Sequence, residues 1–111
     1  KILKINNIKE KHNKTLIIAI NYSGREDLNH AFNQSLNKNN KNIEKYLSIS
    51  KFSDPDVLIR TGGYSRLSDF FLYQCSFTEL FFTKTLWPDL NKNYLNKVIN
   101  NFSNLERKFG K

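Results

Sequence analysis

A short apolar run, Val57-Leu58-Ile59, ends on Arg60 and meets the pair Gly62-Gly63 two positions later. Ser53-Asp54-Pro55-Asp56 precedes it with turn chemistry. Turn, apolar run, cation and paired glycines in that order describe a buried strand emptying into a loop that needs glycine backbone freedom. Arg66 and Ser68 follow, so two guanidiniums and a hydroxyl fall within nine positions of one bend. Planar guanidinium forks grip phosphate oxygens two at a time, which suits this trio to a diphosphate. Pairing of each Arg with a surface carboxylate is the plainer alternative, and the grouping around the glycines weighs against it.

The rest of the chain alternates strands and helices. Thr15 to Asn21 (TLIIAIN) is an apolar run of strand length, expected to be covered on both faces. Tyr22-Ser23-Gly24 reads as a strand-to-helix turn, with Ser23 capping a helix from about Arg25 to Leu36. Glu26 and Asp27 in its first turn favour the helix dipole. Leu28, Ala31, Phe32, Ser35 and Leu36 recur at helical spacing and form its expected sheet-facing side. Leu36 to Asn42, rich in Lys and Asn, is expected to be a low-complexity loop or a helix end. Another short helix is expected over Asn42 to Ser50. Ser68 and Asp69 are read as opening a helix through Phe70 to Phe77, with a third strand over Leu80 to Phe82. Trp87-Pro88 blocks continuation, and Leu90 or Asn91 opens a final helix presenting Leu95, Val98, Ile99, Phe102 and Leu105. Such alternation predicts one α/β domain over residues 1–111, a mostly parallel sheet flanked by helices. In that architecture ligands bind beyond the carboxyl ends of the strands, where Arg60 would stand.

Charge and composition narrow the function classes. The net charge of +8 attracts phosphorylated partners. Its lysines are scattered among asparagines, whereas the aromatics sit in apolar runs, so a nucleic-acid face with interleaved aromatics is not expected. The single cysteine, Cys75, cannot form an internal disulfide and reads as a small buried hydrophobe. His12 and His30 lack metal-ligand spacing and are expected at the surface. No apolar run reaches the ~20 residues that span a bilayer, and the N-terminal KILKINNIKE lacks signal-peptide features. A cytoplasmic location, or a peripheral one on a membrane, is therefore expected.

Asp56-Val-Leu-Ile-Arg60-Thr-Gly-Gly, Arg66-Leu-Ser68, Glu79-Leu-Phe-Phe and Leu86-Trp87-Pro88-Asp89 together resemble the signature region of the cis-prenyltransferases. These are the undecaprenyl and dehydrodolichyl diphosphate synthases. Asn21-Tyr22-Ser23-Gly24-Arg25 is similar to their Asn-Tyr-Gly-Gly-Arg element, with Ser23 for Gly, and is read as structural. Lys108-Phe109-Gly110 resembles their terminal Arg-x-Gly, with Lys replacing Arg. Asp69 stands where many members have Asn, and Tyr64 and Ser65 occupy a variable loop. The family's Asp-Gly-Asn-Gly-Arg loop, which carries the key catalytic Asp, is absent. The chain is thus expected to be the C-terminal half of such an enzyme, inactive alone and without a catalytic residue of its own.

The resemblance implies Mg²⁺-dependent condensation of isopentenyl diphosphate onto a farnesyl-type allylic diphosphate, giving a Z-polyprenyl diphosphate. It assigns the isopentenyl diphosphate head to Arg60, Arg66 and Ser68, and the Mg²⁺ site to Glu79. It further implies a homodimer or heteromer with peripheral membrane contact, and a cross-subunit role for Lys108 and Gly110. A non-catalytic partner subunit of a heteromeric enzyme is the alternative.

Overall fold

The computed structural model describes residues 2–4 and 14–108, and its backbone groups into two compact units, Lys1–Phe52 and Ser53–Lys111. In the first unit, β1 (Ile2–Lys4) pairs antiparallel with β2 (Ile17–Ala19), Ile2 opposite Ala19. The β2 strand leads to Asn21, whose φ of 52° is a left-handed conformation that Asn tolerates. Helix α1 (Gly24–Asn37) follows, and the Ser23 hydroxyl caps it by accepting from the Glu26 amide at 3.2 Å.

The carboxyl end of α1 lies in the Lys- and Asn-rich stretch, and it is a well-formed stop. Asn39 takes φ 49°, its amide donates to Leu36 O at 3.0 Å, and the Asn40 amide reaches Ser35 O at 2.9 Å. That is a Schellman closure with Asn in the glycine position. A single 3-10 turn, Ile43–Tyr46, stands where a short helix was expected. Of the side predicted to face a sheet, Ala31 and Ser35 are buried, while Phe32 and Leu36 are exposed.

Asp27 organises this unit. Only 6% exposed, it accepts from the Tyr22 hydroxyl at 2.8 Å, the Ser48 amide at 2.9 Å and the Ser48 hydroxyl at 2.7 Å. One carboxylate thus ties the strand-to-helix turn, α1 and the segment beyond the 3-10 turn. His30 is exposed as expected, and His12 lies outside the described residues.

In the second unit, β3 (Val57–Arg60) pairs in parallel with β4 (Glu79–Phe82) in the register Val57–Glu79 through Arg60–Phe82. A 3-10 turn, Trp87–Asp89, precedes helix α2 (Lys92–Ser103), capped by Asn91 accepting from the Tyr94 amide at 3.0 Å. Val98 is the buried residue of α2; Ile99 is exposed, and Leu105 lies past the helix end. With one parallel pair, one antiparallel pair and their helices, the chain is α/β as expected.

The helix expected over Phe70 to Phe77 is a run of turns instead. Ser68, Asp69 and Phe71 have φ of 49°, 65° and 43°, which breaks right-handed continuation at both residues expected to open the helix and at its second Phe. The Ser76 hydroxyl also donates to Tyr73 O at 2.6 Å, a local bond that competes with helix. Cys75 is buried as expected. Burial pushes its thiol above the ordinary value of 9.0, a hydrogen bond with Thr78 opposes this, and Asp54 adds to it. The native thiol should therefore resist iodoacetamide at pH 7 and react once denatured; equal rates in both states would contradict its burial.

Among the described residues, no helix is long and apolar enough to cross a membrane.

Candidate functional site

Arg60 ends β3, and the two loops leaving the parallel pair close over that end. The Thr83 amide continues the ladder to Arg60 O at 2.9 Å, Gly63 N donates to Thr83 O at 2.9 Å, and Gly62 N donates to Thr85 O at 3.0 Å. Both glycines have left-handed φ, 86° and 84°. A Cβ on Gly62 would meet nothing within 4 Å, so conformation rather than crowding demands glycine there. A Cβ on Gly63 would lie 3.9 Å from Lys84 Cγ, which sets a further cationic residue beside the bend.

This bend returns the chain to Arg60. The Arg60 Nη1 donates to Ser68 Oγ at 2.9 Å and to the carbonyl of Arg66. The Arg60 guanidinium carbon also lies 5.7 Å from the centre of the Tyr64 ring, and that of Arg66 lies 4.3 Å from the same ring. Arg60, Arg66 and Ser68 therefore converge at the carboxyl end of β3, where open α/β sheets bind ligands. Ser68 accepts from Arg60, which leaves its own O–H to donate. Positive φ at Ser68 and Asp69 turns this segment back toward the strand end.

Glu79 is elsewhere. It pairs with Val57, three rungs below the Arg60–Phe82 pair, about 10 Å along the strand at ~3.3 Å per residue. Strand alternation also puts Glu79 and Arg60 on opposite faces of the pair. Glu79 instead lines a hollow of about 260 Å³ with Glu106, Arg107 and Lys108. The tail that carries these residues is tied down by Arg107, which donates to Asp56 Oδ1 at 2.5 Å and to Phe77 O at 3.0 Å. Lys108 thus stands on the Glu79 side, and Gly110 lies outside the described residues.

Mg²⁺ rests on one or two carboxylates plus phosphates and waters. Among the described residues, no three His, Cys, Asp or Glu side chains gather into a metal site, and Glu79 is remote from the cation cluster. These residues do not by themselves fit the ion.

Sequence reading singled out the trio but assigned nothing to Tyr64 or to Thr83-Lys84-Thr85. A local signal for Tyr64 was present: an aromatic four residues after one Arg and two before another.

The model of the family described as putative undecaprenyl diphosphate synthase matches residues 1–110. Dehydrodolichyl diphosphate synthase 3 of Arabidopsis thaliana is 39% identical over 115 residues, covering 92% of this chain and 37% of that protein. The crystal structure of a probable undecaprenyl diphosphate synthase from Campylobacter jejuni superposes with a TM-score of 0.76 at 35% identity, covering 83% of this chain and 45% of that one. Lavandulyl diphosphate synthase from Lavandula x intermedia, in complex with dimethylallyl diphosphate, gives a TM-score of 0.70 at 35% identity, with 81% and 44% covered. The chain spans less than half the length of each of these relatives. With the signature residues in order, the fold shared and the family model matched along nearly every residue, the chain belongs to the undecaprenyl diphosphate synthase family, the cis-prenyltransferases.

Proposed function

We propose that this chain supplies the isopentenyl diphosphate pocket of a transferase that builds a Z-polyprenyl diphosphate. The observation that carries this reading is the convergence of Arg60, Arg66 and Ser68 at the carboxyl end of a parallel strand pair. The free edges of the two guanidiniums take the oxygens of the diphosphate, and the Ser68 hydroxyl donates to another. A head group held this way directs the isopentenyl C4 toward C1 of an allylic diphosphate, and fixing that approach lowers the entropic part of the barrier. The C4–C1 bond forms, pyrophosphate departs with the electrons of its C–O bond, and a proton is lost as the new double bond closes.

Support for the substrate class comes from the relatives. One is named a dehydrodolichyl diphosphate synthase and another holds dimethylallyl diphosphate, itself an allylic diphosphate. The allylic site and the carboxylate that starts the chemistry are assigned to protein beyond these residues. Mg²⁺ would offset charge on a leaving pyrophosphate; Glu79, the carboxylate the resemblance gives to it, stands apart from the cation cluster and would hold the ion only with ligands from outside the described residues. Homo- or heteromeric assembly and peripheral contact with a membrane that accepts the lipid product belong to the same proposal.

Labelled isopentenyl diphosphate and farnesyl diphosphate, given with Mg²⁺ to the protein that carries this chain, should yield a longer polyprenyl diphosphate. Turnover only after adding a second family subunit would favour the partner-subunit reading. Failure under both conditions would reject the transferase.

A further inference from the structure

We infer that Tyr64 is a positioning residue, whose ring holds the guanidiniums of Arg60 and Arg66 ready for a diphosphate. This rests on the reading of the trio as a diphosphate site. Arg60 and Arg66 carry like charges in one short loop, so without an anion they repel and spread. Both approach one aromatic ring, that of Tyr64, 5.7 Å from the first guanidinium carbon and 4.3 Å from the second. Both distances are within the ~6 Å over which a ring face attracts a cation.

The geometry leaves the anion-binding groups available. A guanidinium stacks through its face and binds oxygens through its edge. The ring can therefore remain in place while phosphate oxygens approach from the side. On Arg60, Nη1 is committed to Ser68 Oγ and the Arg66 carbonyl, which leaves Nε and both hydrogens of Nη2. Tyr64 has little packing role to compete with this one, since it is 54% exposed. Its position comes from the bend, where left-handed Gly62 and Gly63 turn the chain so that residue 64 lies over the side chain of residue 60. Holding two flexible side chains before the ligand arrives reduces the ordering cost of binding.

The test titrates inorganic pyrophosphate calorimetrically into wild type, Tyr64→Phe, Tyr64→Ala and Arg66→Ala. Tyr64→Ala should weaken binding roughly 5- to 30-fold, the combined effect of two exposed cation–π contacts. Tyr64→Phe keeps a ring and should stay within about twofold of wild type. In turnover, Tyr64→Ala should raise the KM for isopentenyl diphosphate and leave the KM for the allylic substrate unchanged, a split that general misfolding would not produce. Unchanged or tighter pyrophosphate binding by Tyr64→Ala, with Arg66→Ala impaired, overturns the role of Tyr64 alone. Absence of wild-type binding, or wild-type affinity in Arg66→Ala, overturns the diphosphate site and this inference with it.

Discussion

Replacing Arg60 by Ala should raise the KM for isopentenyl diphosphate about 100-fold, close to 2.7 kcal/mol at 1.36 kcal/mol per tenfold. Two losses combine. The Arg60 Nη1 holds the Arg66 carbonyl and the Ser68 hydroxyl, so it closes the loop that carries both partners. Its remaining edge is the proposed grip on the diphosphate. Hydrogen bonds to charged groups contribute about 1.5–3 kcal/mol each, and the partial exposure of Arg60 argues for the lower end. Arg66→Lys should cost less, about tenfold, because it keeps the charge and loses the planar fork without opening the loop. Steady-state kinetics at saturating allylic substrate would check both. A KM unchanged in Arg60→Ala would remove that residue from the site.

The second large effect is on stability. Asp27→Ala should destabilise the Lys1–Phe52 unit by about 2–3 kcal/mol, seen as a lower urea midpoint. The substitution deprives the Tyr22 hydroxyl and both Ser48 donors of their shared acceptor. Exposed Ser48 can recruit water, which keeps the cost below the full sum for three buried donors. Asp27→Asn retains one carbonyl oxygen for Ser48 and should cost about half as much. A midpoint unmoved by Asp27→Ala would show that water replaces the carboxylate without penalty.

Local chemistry made several elements legible in advance. Ser23 and Asn91 cap their helices because short side chains there can reach amides three residues on. The β3 strand was readable as an apolar run bounded by a Pro-containing turn and a Gly pair. What escaped depends on distant partners. The β1 strand is three residues long and is defined by pairing with β2, many positions away. The apolar density of Phe70 to Phe77 pointed to helix, yet left-handed backbone at Ser68, Asp69 and Phe71 is set by the loop's return to Arg60.

The site shows the same division. Arg60, Arg66 and Ser68 were legible as a group because one bend joins them. Glu79 was assigned separately, to the Mg²⁺ site, and the sequence did not show its distance from the trio, because the parallel register that pairs it with Val57 depends on residues far apart in the chain. The part of Tyr64 was hidden for the converse reason: its neighbours in sequence were plain, but not that both guanidiniums lie within reach of its ring.

A crystal structure of the protein with isopentenyl diphosphate bound tests the central claim most directly. The account predicts phosphate oxygens within hydrogen-bond distance of the guanidinium edges at positions 60 and 66 and of the hydroxyl at position 68. A head group seated elsewhere, with those three side chains empty of ligand, would contradict it.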